Sequence, residues 1–277
     1  RRLKSFYFKG SYSVRPTCGS SNIRPASSLT YAIVGGLVLV AGSTASFAYR
    51  PFDGTDAAVA DPHEVEIELE PAGVLRQNAQ TSLIAPFIIF NYGFAKNWEF
   101  VFQGQGQSPL TSFDESASIN GVGAFLKHVL REGSLQDATG PSVAIEFGPL
   151  LPGVNADSGF GASFGTIVSQ RWDWGAVHAN VVTELTRDQH FDYFVGSIIE
   201  GPSKWKVRPV AEFFYEEEIG QTRTVSGLIG AIWQVKDNLS FDVAYRHAVT
   251  NGRPVEEFRA GVTFGFSIPE FKGRRGA

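Results

Sequence analysis

From residue 63 onward, apolar and polar positions alternate with a period of two in short runs separated by turn formers. No stretch keeps a helical period long enough to predict a helix. Glu64–Glu70 is the clearest run: Val65, Ile67 and Leu69 face one way and four glutamates the other. In Val207–Glu216, Val207, Pro209, Ala211, Phe213 and Tyr215 share one face. The wetter face opposite carries Arg208, Val210, Glu212, Phe214 and Glu216. Leu239, Phe241, Val243 and Tyr245 alternate with Ser240, Asp242, Ala244 and Arg246, and Phe258–Phe266 alternates in the same way. About twelve such segments begin near residues 63, 82, 98, 118, 141, 159, 175, 191, 206, 222, 239 and 255, an even count with room for strands of about 10 residues.

The links predict two unlike ends. Short turns lie at 95–97, 171–175, 201–204 and 236–238, and longer polar links at 109–117, 151–159, 216–222 and 248–255. In a membrane barrel the short set belongs to the periplasm and the long set outside. The link 131–140 is out of line, being long where a short one is due. Aromatic residues gather at segment ends, where a membrane interface would hold them: Trp98, Phe100, Trp172, Trp174, Phe191, Tyr193, Trp205, Trp233, Phe264 and Phe266. Alternation alone also fits a soluble secreted sandwich or barrel. The difference is which face is inside, because a membrane barrel turns its apolar face to lipid.

Composition decides between these. Residues 1–48 carry Arg1, Arg2, Lys4, Lys9, Arg15 and Arg24 and no acid. The rest carries 18 basic against 28 acidic residues, a formal charge of −10, which excludes a nucleic-acid binder. The basic lead runs into the apolar stretch Tyr31–Ala41 and then small residues at Ser46 and Ala48, a secretory signal with cleavage expected after Ala48. The apolar run is about half what a spanning helix needs. Cys18, the one cysteine, precedes that run, so the mature chain holds no thiol for disulfides, catalysis or metal.

Arg50-Pro-Phe-Asp-Gly-Thr-Asp56, Pro62, the acidic strand after it and Tyr92-Gly-Phe-Ala-Lys-Asn-Trp-Glu99 carry a resemblance. Over residues 50–268 the chain resembles the outer-membrane barrels of the MetA-pathway of phenol degradation family. Gly54 interrupts the family's usual pattern after the cleavage site. The resemblance implies an outer-membrane β-barrel that transports small organic compounds.

Chemistry is sparse. His63, His128, His178, His190 and His247 show no metal-ligand spacing, and the glycines at 161, 165, 227, 230, 261 and 265 do not lead a strand into a helix, so no phosphate cradle is expected. His247 is the best enzymatic candidate, as a lipid-facing rim histidine. Its expected neighbours Arg223, Val225 and Glu256 include no serine. What remains is a set of inward charges: Glu66, Glu68, Lys127, Glu146, Glu184, Arg208, Glu212, Asp242, Arg246 and Arg259. They either line a narrow lumen as a selectivity device or pair across it as structural filling. A turn at Asn251-Gly252 would set Arg246 opposite Glu257. The segment Leu83–Phe90 is apolar on both faces, to form a greasy stripe in the lumen or to pack against a plug made by 49–62.

The sequence therefore predicts an all-β, transmembrane, antiparallel up-and-down β-barrel of about 12 strands in the bacterial outer membrane. Its expected divisions are a signal peptide (1–48), a periplasmic N-terminal extension or plug (49–62), the barrel (63–268) and a C-terminal tail (269–277). The expected function is a pore for passive uptake of small organic solutes, aromatic or hydrophobic ones among them. No enzyme activity, cofactor, metal or nucleic acid is expected. The expected partners are the lipid bilayer, the barrel-insertion machinery and a small-molecule solute. The alternatives are a closed structural or adhesive barrel and, behind it, an outer-membrane lipid hydrolase.

Overall fold

The computed structural model describes residues 50–111 and 116–269, with a short ladder of Phe6–Tyr7 on Gly10–Ser11 ahead of them. The apolar run 31–41, Cys18, the cleavage position after Ala48 and the tail from 270 lie outside the described residues.

Alternation becomes strand all along the chain: β1 (Glu64–Glu70), β2 (Gly73–Gln77), β3 (Gln80–Ala95), β4 (Trp98–Pro109), β5 (Ser118–Arg131), β6 (Ser142–Leu150), β7 (Gly161–Trp172), β8 (Gly175–Leu185), β9 (Phe191–Glu200), β10 (Val207–Glu218), β11 (Thr222–Lys236), β12 (Leu239–Thr250) and β13 (Arg253–Ser267). Each pairs antiparallel with its sequence neighbour, apart from the collinear β1 and β2, and β13 returns to pair with both of these, so the sheet closes. Closure removes the free edges that would otherwise template aggregation. β1 and β2 form one stave in two pieces, both pairing with β3 on one side and β13 on the other. The break falls at Pro71-Ala72, where proline has no N–H for the ladder. The barrel thus has twelve staves.

The faces sort as alternation requires. Val243, Ile229, Phe213, Ile199 and Val181 point outward and stay exposed, while their neighbours Asp242, Leu228, Glu212, Ile198 and Val182 are buried inside. An apolar outside around a charged inside is stable only against lipid. Rings collect on the outside at the end where the barrel begins and finishes: Trp172 stacks on Trp174 at 5.3 Å, Trp233 lies 6.0 Å from Phe241, and Trp98 stacks on His128 at 4.0 Å. The opposite, loop end carries Phe191 outside and a pair of tyrosines, Tyr193 and Tyr215, 5.9 Å apart.

Two links differ from expectation. The links 216–222 and 248–255, expected to be long, are tight turns, with β10 running on to Glu218 and β12 to Thr250. The second turns on Asn251 and Gly252, both at positive φ (49° and 77°), which suits the right-handed twist of a hairpin. The register that follows puts Arg246 opposite Glu257. The odd link 132–141 is long because it folds back. Its short 3₁₀ turn, Ser134–Gln136, buries Leu135 against Ala57, Ala144 and Ile167 and so covers the lumen at the end that carries the barrel's first and last strand residues.

Candidate functional site

The interior holds a segment that is not part of the wall. Residues 50–61 run across the lumen as a strap of irregular backbone. Strap N–H groups cannot join a ladder, so the wall must satisfy them with side chains. Glu212 grips two consecutive amides, with Oε2 2.8 Å from Asp53 N and Oε1 2.7 Å from Gly54 N. Asn180 clamps Thr55 from both sides, accepting from its N–H (3.1 Å) and donating to its carbonyl (2.9 Å). Ser169 Oγ accepts the Ala57 N–H at 2.9 Å, and Glu99 accepts that of Ala60 at 2.6 Å. Phe52 and Ala57 are its apolar anchors, the former packed with Ile198, Val210, Leu228, Ile232 and Ala244.

Charge fastens the strap further. Arg50 donates its backbone N–H to Glu68 (2.8 Å) and its guanidinium to Glu70 (2.6 Å) and Asp242 (3.2 Å). Burial opposes the charge on Arg50, yet Asp242 and Glu70 outweigh it and raise its pKa, so the cation persists. Its guanidinium carbon also lies 5.8 Å above the centre of the Phe87 ring. Arg259 holds the Pro51 carbonyl (2.7 Å) and Asp53 (2.9 Å), and shares Glu257 Oε2 with Arg246 at 2.9 and 2.8 Å. Lys127 reaches Thr55 Oγ1 at 3.2 Å and Asp56 at 3.7 Å. Two glycines make room. A Cβ at Gly261 would stand 2.3 Å from Arg50 Nε, and one at Gly93 2.1 Å from the Asp61 carbonyl oxygen.

The ten charges singled out from sequence fall into three places. Glu68, Lys127, Glu212, Asp242, Arg246 and Arg259 surround the strap and are buried. Glu66 (buried) and Glu146, opposite Lys127 in the ladder, belong to the lower wall, and Arg208 sits there too, 3.5 Å from Glu200. Glu184 stands at the loop end, opposite Asp192. Other functional groups were missed. Glu70, Asn180, Ser169 and Asp53 each make a strap contact and Glu257 ties two arginines beside it, and only their inward parity in the alternation, or their place in 49–62, signalled it. The segment Leu83–Phe90 does present inward groups: Ile84 and Ile89 are buried, and after the irregularity between Ile84 and Phe87 the Phe87 ring packs beneath Arg50.

His178 also gains a setting that sequence spacing hid. Ser169 Oγ lies 2.8 Å from its Nδ1, Glu200 3.5 Å from its Nε2, and Arg208 completes the line. This Ser-His-Glu line is similar to a nucleophilic triad only in residue type: Ser169 is fully buried and already accepts the Ala57 N–H, so the line anchors the strap. His247 points outward opposite Gly227 and Glu256, shifted by two to four residues from its expected neighbours Val225 and Arg223. Among the described residues no group of His, Cys, Asp and Glu could hold a metal ion.

Compared with known proteins, the chain matches no family model and no curated protein. Solved structures do match. The KdgM porin superposes with a TM-score of 0.51 at 11% identity, over 73% of this chain and 99% of its own. An anion-selective porin from Comamonas acidovorans follows at 0.40 and 6% identity, over 73% and 98%. The CymD monoaromatic hydrocarbon channel reaches 0.35 at 8%, over 76% and 89%. At such identities the likeness is one of fold, and the fold, closed with twelve staves, apolar outside and charged within, is that of a bacterial outer-membrane β-barrel.

Proposed function

We propose that the chain is a diffusion pore for small organic solutes, aromatic and hydrophobic ones among them, and that the strap 50–61 is its gate. The observation that carries this reading is the nature of the strap. It is separate from the wall, held mainly by side-chain hydrogen bonds and ion pairs, and would leave behind a passage lined by charged groups. A barrel built only for structure has no need of a removable filling. In this reading the end bearing the first and last strand residues faces the periplasm and the loop end faces outward, the orientation usual for short turns and longer loops. The residues before Tyr49 act as an export signal, and folding into the membrane depends on the barrel-insertion machinery.

The second reading, a permanently closed structural barrel, is favoured by one feature: the strap's charges are paired and buried. Single-channel recording of the refolded protein in planar bilayers separates the two. Discrete openings support the pore. A barrel that stays silent even when 50–61 is deleted is structural.

A further inference from the structure

The wall beneath the strap forms a seat for one cation. Asp242 on β12 lies directly opposite Gly261 on β13, and Glu70 on β1 directly opposite Phe87 on β3. Val262 pairs with Leu69, so Gly261 and Glu70 come next along the same two strands, and the four residues make one row across four staves. The row reads carboxylate, glycine, carboxylate, phenyl ring. Both carboxylates are buried. The glycine leaves the seat open: a Cβ at Gly261 would stand 2.3 Å from Arg50 Nε, 2.9 Å from its Cζ and 2.6 Å from Asp242 Oδ2. Every part of the seat belongs to the wall, while its occupant, Arg50, belongs to the strap.

The seat selects for shape as well as charge. Arg50 sets Nη1 on Glu70 at 2.6 Å and Nη2 on Asp242 at 3.2 Å, two nitrogens of one plane on two carboxylates from separate staves, with the Phe87 ring centre 5.8 Å from Cζ. An ammonium is a point charge and cannot divide itself in this way. Arg50 nevertheless uses the seat incompletely. Its Nε and Oε1 of Glu70 are both buried and have no hydrogen-bond partner among the described residues. Buried polar atoms left unpaired are costly, and a single bond to each carboxylate is weaker than a two-bond fork. The Arg50 side chain hangs from a backbone N–H that Glu68 holds at 2.8 Å. A guanidinium carried by a free solute has no such tether and can turn to fork one carboxylate.

We propose that this row is a binding site for guanidinium-bearing organic solutes, that Arg50 fills it as a tethered stand-in, and that such a solute opens the strap by taking its place. The proposal deepens the pore reading, on which its role in opening and transit rests. The room is the space that the Arg50 side chain now fills over Gly261. The incoming guanidinium supplies the donors and the charge that Asp242 and Glu70 lose, and the Phe87 ring face adds to its attraction. A neutral solute of the same shape would leave the two carboxylates uncompensated.

The test uses methylguanidinium, with N-methylurea as the neutral isostere and methylammonium as the point-charge control, in calorimetric titrations of the detergent-solubilised full chain. Arg50→Ala vacates the seat, and this variant is expected to bind methylguanidinium about tenfold or more tighter than either control. Adding Glu70→Gln is expected to remove that preference; should the pair not refold, Asp242→Asn with Arg50→Ala is read in its place. In the parent chain the tethered Arg50 competes, so methylguanidinium is expected to act only at concentrations about tenfold or more higher. There it is expected to speed proteolytic cleavage within 50–61, while N-methylurea at the same concentration leaves cleavage unchanged. Equal affinity of Arg50→Ala for the three probes, a preference that survives the loss of the carboxylate, or binding to Arg50→Ala with no faster cleavage of the parent overturns the proposal. Reversal potentials in a gradient of methylguanidinium chloride then test transit. Binding and faster cleavage without current sink the pore reading and leave the site standing; current with equal affinity for the three probes sinks the site and leaves the pore; neither binding nor current sinks both.

Discussion

At the scale of single residues, alternation carries nearly all the information because a strand gives each side chain one of two fates. Val243 is 49% exposed and its neighbours Asp242 and Ala244 are buried, as their parity demands. Arginine at Val243 or Val262 is therefore expected to destabilise the barrel by about 2–4 kcal/mol, since both lie mid-strand against lipid. Thr263→Ser, on the inward face, is expected to cost little, and refolding titrations into liposomes compare the two. Equal tolerance on both faces would mean that inside and outside have been exchanged. Glu257 has a different weight. It serves Arg246 and Arg259 at once, so Glu257→Gln leaves two buried cations short of a partner and is expected to cost about 3–5 kcal/mol in the same titration. The Arg246–Glu257 pair was legible, because an Asn-Gly turn fixes the register. The Glu257–Arg259 contact within one strand was not, because parity gives a face and not a rotamer.

At the scale of elements, strand centres were legible and strand ends were not. Residues 216–222 and 248–255 are polar enough to read as loops, yet β10, β11, β12 and β13 continue through most of them, since polar residues suit strands that rise beyond the hydrocarbon. The link 132–141 was unreadable for another reason: its length serves the strap, with Leu135 and Gln136 closing over Ala57. The strap itself has no periodicity, and apart from Glu64, next to its end, its wall partners lie 18 to 208 residues away in sequence, so only its resemblance motif and its position hinted at a lumen role. Its fit to the wall can be broken locally. Gly261→Leu places carbon where Arg50 Nε now stands and is expected to expel the strap's first turn while the twelve-stave ladder persists. Faster proteolytic cleavage within 50–61, with unchanged heat-modifiable migration of the barrel, is the expected result. A strap as resistant as in the parent chain would show that Arg50 is not what holds it.

At the scale of the whole molecule, the closed wall and the strap do separate jobs. Every stave pairs on both sides without the strap, so the ladder's hydrogen bonds and the lipid-facing surface do not depend on residues 50–61. The lumen's closure does. Deleting 50–61 removes Arg50, Asp53, Asp56 and Asp61 and exposes Glu68, Glu70, Glu212 and Asp242 to water, where charged side chains are readily solvated. The deletion is therefore expected to refold with a modest loss of stability and to convert brief openings into a sustained conductance in planar bilayers. Selectivity gives the sign of the internal field. The strap itself carries one arginine and three aspartates, so its loss lowers the acidic excess without reversing it: among the described residues the wall keeps twelve buried carboxylates, Asp242, Glu212, Glu68 and Glu70 among them, against five buried lysine and arginine side chains. Potassium is therefore expected to pass in preference to chloride, and Arg259→Ala in the deletion background should raise that preference further. A deletion variant that refolds and conducts but favours chloride would show that the wall carboxylates do not set the field. One that refolds and never conducts would show that the wall side chains close the lumen themselves, with the strap serving only as part of the packed interior.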